Sequence, residues 1–274
     1  MKKHFLAFLI FGIIGTHVIA QNQKENDIFT VKSSPEPFLF SLSTLTPEDQ
    51  KWSLDYSSSY GERVETPLGF EGVSQQLAVK GYLGKRFTLY ANTALGFPQG
   101  NKVYTAQQAE ILRNIIGGKK YLGFRVGAGL GARRDFSNDF SLLGRATMEY
   151  MASRWKASGN LLFEKNLEEG GDAIDIITSL GFHYRIAGNF FGGLEAIGED
   201  LEGFWDAEEA EGGAKLMVGP SFNLTPNESR FSFSLSGGPV FLATENENFN
   251  PEAIRELPSQ AGLMIRGKII FILG

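Results

Sequence analysis

Charged side chains recur at alternate positions in several segments of the sequence. Successive side chains of a β-strand point to opposite faces, so these residues would form one polar wall while the opposite face stays apolar. Both signs of charge contribute to this wall, which we predict to line an interior: Arg125, Arg145, Glu149, Lys156, Glu164, His183, Arg185, Glu195, Lys215, Arg266 and Lys268. Such a wall selects ions by charge if it surrounds water, or forms a salt-bridge network if the interior is packed.

His183 is the only histidine beyond the first 20 residues. A histidine close to a serine is typical of a nucleophilic hydrolase. Ser179 lies four residues before His183, on the same predicted face of the strand. No serine stands two residues after His183, where the sequence has Arg185 instead. One histidine without any cysteine also lacks the usual ligands of a zinc site. The pattern therefore favours a hydrogen-bonding role for His183 over catalysis, and we predict no enzymatic activity.

The segment from Glu195 to Glu211 is rich in acidic residues and contains no lysine or arginine. Carboxylate oxygens at this density are ligands that calcium accepts. The four residues that would form such a weak cation site are Glu199, Asp200, Glu202 and Asp206. The fixed spacing of an EF-hand loop is absent, so a solvated acidic loop is the alternative, and no other cofactor is expected.

The last segment of the chain shows most clearly which element carries these charges. From Leu263 to Leu273 the side chains alternate between a fully apolar face and a face with Arg266 and Lys268 at its centre. This period of two predicts a β-strand with two different faces. We interpret the apolar face as facing lipid.

The same alternation recurs along most of the chain. Thr105–Ile116 is either an irregular strand or a helix that Thr105 would cap, and Phe38–Leu45 is a weaker strand that would be needed if 105–116 is helical. Both alternatives give about 12 strands, within a range of 10–12, and we favour the strand at 105–116. The other predicted strands are 51–60, 74–83, 86–97, 121–133, 140–151, 154–165, 174–186, 189–199, 213–224, 230–243 and 259–273.

The beginning of the chain predicts export. Residues 1–20 have the charged start, short apolar centre and small-residue end of a signal peptide. The chain has no cysteine, which excludes disulfides and a lipid-anchored cysteine, and its 31 acidic against 26 basic residues argue against nucleic acid. No apolar segment of the sequence is long enough to form a transmembrane helix. We therefore predict that residues 21–50 are a periplasmic lead-in and that residues 51–274 form the domain built from these strands.

The predicted connections alternate in length after residue 133. Short ones, such as 187–188, alternate with longer ones, such as 200–212, and aromatic residues lie beside the short turns. Transmembrane barrels have short periplasmic turns, long extracellular loops and aromatic girdles. The pattern therefore predicts an antiparallel, up-and-down, all-β transmembrane barrel.

These features together resemble the outer-membrane β-barrel proteins of Gram-negative bacteria. The resemblance covers residues 51–274 and rests on the general pattern rather than on a motif. It implies a location in the cell outer membrane, contact with outer-membrane lipid and insertion by the outer-membrane assembly machinery. One departure is the C-terminus, where the last aromatic residue, Phe271, stands three places before the end.

Two functions follow from the two interpretations of the polar wall. The first is a passive, porin-like channel for small solutes. The alternative is a structural or surface-interaction barrel with a packed interior, whose acidic loops bind cations or a partner. A hydrolase within the barrel is a third and weaker hypothesis.

Overall fold

The computed structural model describes residues 34, 36–44, 51–64, 67–98, 102–117, 122–167, 174–201, 214–243 and 262–273. Among these residues, no helix is long and apolar enough to cross a membrane. Twelve strands are present: β1 (Trp52–Glu62), β2 (Gly72–Gly84), β3 (Phe87–Phe97), β4 (Tyr104–Ile116), β5 (Gly123–Arg134), β6 (Phe140–Met151), β7 (Trp155–Asn166), β8 (Asp175–Ala187), β9 (Phe190–Glu199), β10 (Ala214–Leu224), β11 (Phe231–Ala243) and β12 (Gly262–Leu273).

The strands close into a single antiparallel barrel. Each strand pairs with its neighbours in sequence, and β1 pairs with β12, with Trp52 opposite Leu273 and Tyr60 opposite Ile265. Closure pairs both sides of every strand, so the sheet has no free edge. The fold confirms the predicted up-and-down barrel, and the strand count is the predicted twelve.

The two faces of the wall differ as the alternation predicts. In β12, Leu263, Ile265 and Ile269 are exposed on the outside, whereas Met264 and Ile270 are buried inside. Similar exposed leucine, isoleucine and phenylalanine side chains continue around the outer surface. An apolar band of this extent around a closed barrel is stable in lipid rather than in water.

The connections divide the barrel into two ends. The strand ends that flank 85–86, 117–122, 152–154, 188–189 and 225–230 define the short-turn end, and those that flank 63–71, 98–103, 135–139, 167–174, 200–213 and 244–261 define the long-loop end. In the two-residue turn 85–86, Lys85 and Arg86 have φ values of 49° and 69°. Positive φ at both central residues is the type I′ geometry, which matches the twist of the flanking strands.

Two sequence-based predictions about the first half of the chain have clear outcomes. The segment 105–116 is part of strand β4, so the helical alternative is wrong. The alternative strand at 38–45 is also wrong as far as the structure describes it, because residues 36–44 have no strand geometry. This segment lies inside the barrel, where wall side chains take its backbone hydrogen bonds, so it is not a free periplasmic lead-in. The predicted signal peptide falls outside the described residues.

Candidate functional site: the interior of the barrel

Residues 36–44, called the lumen loop below, enter the interior and fold back on themselves. The backbone N–H of Ser43 donates to both carboxylate oxygens of Glu36, at 3.0 and 3.1 Å, which closes the base of the loop. The Glu36 carboxylate also forms an ion pair with Lys80 of β2. Both side chains of this pair are buried, so the base of the loop is fixed to the barrel wall by a charge pair away from water.

The middle of the lumen loop carries two phenylalanine rings into the barrel. Phe38 packs on the imidazole of His183, with 4.4 Å between the ring centroids. Its ring occupies the space over Gly181, where an added Cβ would lie 2.4 Å from a ring atom. Phe40 joins an apolar cluster, and the Arg266 guanidinium lies 4.9 Å from its ring centroid. Wall residues therefore contact both rings: Gly181 and His183 contact Phe38, and Arg266 lies near Phe40.

Polar side chains of the wall bind the backbone of the lumen loop. Glu195 accepts hydrogen bonds from the N–H groups of Leu39 and Phe40, at 2.8 and 3.1 Å. The Lys268 ammonium donates to the Phe38 carbonyl oxygen at 2.6 Å. Further bonds join Leu42 N–H to Asn160 Oδ1 at 2.9 Å, the Ser41 and Ser179 hydroxyls at 3.1 Å, and Ser234 Oγ to the Pro37 carbonyl at 3.3 Å. Apart from the Ser41–Ser179 bond, which joins two side chains, these bonds satisfy backbone groups of the loop that no strand pairs.

Most of the predicted interior charges lie in the wall and take part in local pairs. Arg145 forms two hydrogen bonds to Glu110, at 2.7 and 2.8 Å, and Arg125 donates to Glu149 at 3.2 Å. The other contacts are Arg133 with Glu164, Lys215 with Glu199 at 3.0 Å, and Lys156 and Arg185 over the ring of Phe191. The structure thus brings the predicted residues together as ion pairs and ring contacts rather than as one row of like charges.

The interior near the long-loop end is apolar, which the sequence analysis missed. Val64 and Leu68 fold in from the loop 63–71 and pack with inward-facing residues of β6 to β12 and with Phe40 of the lumen loop. The wall residues of this cluster are Leu143, Leu162, Ile177, Ile197, Met217, Val240 and Met264. The signal was present in the sequence, since each residue stands at an inward position close to the long-loop end of its strand.

A cavity of about 200 Å³ lies between the lumen loop and the long loops. Leu39 to Leu42 of the lumen loop line it, and so do Pro67 and Phe136 of the long loops. Strands β1 to β4 supply a wall of polar side chains, and Leu162, Ile177 and Ile197 supply the apolar wall opposite. We call this cavity, which both the lumen loop and the long loops line, the vestibule.

His183 bonds to a different serine from the one that the sequence suggests. Its Nε2 atom lies 2.8 Å from the Ser221 hydroxyl, which also donates to Glu195, whereas Ser179 contacts Ser41 of the lumen loop. Both His183 and Ser221 are fully buried. The nearer histidine nitrogen lies 4.0 Å from Glu195, so the carboxylate binds the serine rather than orienting the histidine. This geometry differs from that of a catalytic triad.

The acidic segment is only partly described. Glu199 pairs with Lys215, and Asp200 accepts a hydrogen bond from the Ile176 N–H at 3.2 Å. Glu202 and Asp206 lie outside the described residues. Within the part of the chain that the structure covers, no three acidic or histidine side chains form a metal-binding group. The calcium site stays a prediction.

Comparison with known proteins identifies the fold. No family model and no curated protein matches the sequence. Among solved structures, the KdgM porin in complex with disordered oligogalacturonate is similar with a TM-score of 0.53 at 7% identity, over 81% of this chain and 99% of that one. The NanC porin is similar with a TM-score of 0.53 at 10% identity, over 80% of this chain and 100% of that one.

These likenesses agree with the physical properties of the wall. The strands form a closed antiparallel barrel, and the outer surface is an apolar band. A barrel satisfies its backbone hydrogen bonds within lipid, which an open sheet cannot do. The chain is therefore an outer-membrane β-barrel with the fold of bacterial porins.

Proposed function

We propose that the protein is an outer-membrane channel for small solutes and that the lumen loop closes the channel in the conformation described above. The observation that carries this proposal is the vestibule, which is lined both by the barrel wall and by Leu39 to Leu42 of the lumen loop. The similarity in fold between this chain and two porins supports a role in transport. Which solute passes is a separate question.

The lumen loop is suited to be a removable closure. It adds no strand to the barrel, so the ladder from β1 to β12 stays complete without it. Side-chain contacts hold it, and the hydrogen bonds among them can be exchanged for bonds to water when the loop moves. A conductive state then requires displacement of residues 36–44 from the interior, while the wall stays in place.

A disulfide lock tests this proposal. The Ser41 and Ser179 hydroxyls lie 3.1 Å apart, and the chain has no native cysteine, so Ser41→Cys with Ser179→Cys places one disulfide between the loop and β8. The refolded double variant is measured in a planar bilayer before and after addition of a reductant. We expect no current from the oxidised protein and discrete conductance steps after reduction.

A matched disulfide within the wall is the control. Ser59 and Ser74 face each other on β1 and β2, with 2.6 Å between their hydroxyls, so Ser59→Cys with Ser74→Cys cross-links the barrel but not the loop. This variant should conduct equally in both redox states. Equal conductance of the oxidised and reduced loop variant would contradict closure by the lumen loop.

The alternative function is a structural or surface-interaction barrel with a permanently packed interior. The observation in its favour is the apolar cluster, in which Val64, Leu68 and Phe40 fill the interior at the long-loop end. It predicts that the folded wild-type protein and the reduced loop variant are both silent in the bilayer. Conductance of either one decides against it.

A further inference from the structure

The vestibule has two chemically different walls. Gln76, Tyr90 and Asn92 form part of one, where the Tyr90 hydroxyl accepts hydrogen bonds from the Gln76 and Asn92 amides at 3.0 and 3.2 Å. These bonds orient both carboxamides and leave their oxygens to accept from a ligand. Ile177 and Phe40 belong to the apolar surface opposite. A molecule between the walls would meet hydrogen-bonding groups on one edge and hydrocarbon on the other.

The charged groups around the vestibule are largely neutralised by the protein itself. Arg145 is bound by Glu110, Arg133 by Glu164, and Glu36 by Lys80. Lys268 donates to the Phe38 carbonyl, and Asp135 accepts from the backbone of its own turn. Together with Arg266 and Asp55, the lining groups and these partners comprise five cations and five carboxylates. An ion that entered would lose hydration without meeting an uncompensated charge cluster.

We propose that the vestibule binds small, uncharged solutes that carry a hydrogen-bonding group at one edge of an apolar body. This inference rests on the proposed channel function and specifies its solute class. A cavity of about 200 Å³ lies below the usual ~300–1,000 Å³ of drug-sized sites, which favours a molecule of about one ring. The expected selection is by polarity pattern, with both cations and anions disfavoured.

Three probes of equal size and different charge test the proposal directly: benzamide, benzoate and benzamidine. The full-length protein in lipid nanodiscs is titrated with each probe, and the Ile177 methyl group is observed by NMR. We expect benzamide to shift this signal with a dissociation constant of about 1 mM, because a ligand of only nine non-hydrogen atoms binds weakly. Benzoate and benzamidine should each bind at least about tenfold more weakly.

Two substitutions of the same kind locate the site. Asn92→Leu removes the polar edge and should weaken benzamide binding about tenfold, which corresponds to one lost hydrogen bond. Asn114→Leu makes the same change at an inward position of β4 outside the vestibule and should leave binding unchanged. Equal or tighter binding of either charged probe, no Ile177 shift with benzamide, or equal losses in the two variants would overturn the proposal.

The measurement is independent of current flow, so it separates this proposal from the channel function. A barrel that conducts after loop release but does not bind benzamide loses only the solute class. A barrel that binds benzamide but stays silent after loop release loses only the channel function.

Discussion

The Glu36 carboxylate and the Lys80 ammonium form an ion pair between the lumen loop and strand β2, and both side chains are 2% exposed. The two residues are 44 positions apart in sequence. Glu36 also accepts the Ser43 N–H, so one carboxylate closes the loop and attaches it to the wall. The position of the loop therefore depends on a charge pair that is stable only while both partners are in place.

Lys80→Met should release the lumen loop, because it leaves the Glu36 carboxylate buried without its cation. Removal of one partner from a buried pair costs about 3–5 kcal/mol. Ser41→Cys, introduced as a reporter in the loop, should then react with a maleimide at least about a hundredfold faster than in the otherwise wild-type chain. The measurement is the labelling rate of the refolded protein.

The matching control removes both charges. Glu36→Gln combined with Lys80→Met leaves no unpaired charge, so labelling of the same reporter should return most of the way to the slow rate. A double variant that labels as fast as Lys80→Met alone would show that the ion pair holds the loop by direct attraction rather than by the cost of an isolated charge. Slow labelling of Lys80→Met itself would mean that the pair does not hold the loop.

Gly181→Ala should displace Phe38 from its position against His183. An added Cβ would lie 2.4 Å from the Phe38 ring, which is too close for two carbon atoms, so the ring and its loop must shift. Gly144→Ala is the control, since its Cβ would meet nothing nearer than 3.9 Å. We expect more frequent conductance steps only for Gly181→Ala, with the same heat-dependent gel migration of both barrels. Identical currents from the two variants would contradict this role of Gly181.

The barrel wall was predictable from the sequence because its physical signal is local. Alternation along Leu263 to Leu273 defines the strand and its two faces without knowledge of any other segment. The same rule predicts that Arg125, Glu149 and Lys268 point inward, because alternation along a strand decides which face each residue occupies. Thr105–Ile116 was ambiguous because its apolar residues fit both periods, and pairing of β4 with β3 and β5 settled it.

The lumen loop was not predictable in the same way, because its contacts are distant in sequence. Its Leu39 and Phe40 N–H groups bind Glu195, which lies more than 150 residues later. Phe38 and Phe40 alternate as strand residues would, yet they occupy interior sites made by other strands. Only the assembled barrel supplies those sites, so local periodicity in this segment indicated an alternative strand that the described residues do not form.

Ser221→Ala should loosen the lumen loop without affecting any hydrolysis. The Ser221 hydroxyl joins His183 to Glu195, and Glu195 binds the loop backbone, so its loss leaves the carboxylate with fewer partners. We expect about tenfold faster labelling of the Ser41→Cys reporter, as for one hydrogen bond. Wild-type protein should show no cleavage of a p-nitrophenyl ester beyond that of His183→Ala. Hydrolysis that disappears in both variants would establish a catalytic role instead.

The two ends of the barrel should face opposite sides of the outer membrane, with the long loops outside. Ser137 is exposed in the connection 135–139, and Asn227 is exposed in the connection 225–230 at the other end. Because the chain has no native cysteine, Ser137→Cys and Asn227→Cys each create a single labelling site. A membrane-impermeant maleimide should label Ser137→Cys on intact cells and Asn227→Cys only after the outer membrane is permeabilised. The reverse pattern would show that the barrel has the opposite orientation. The vestibule would then open to the periplasm, and the lumen loop would close the channel from outside.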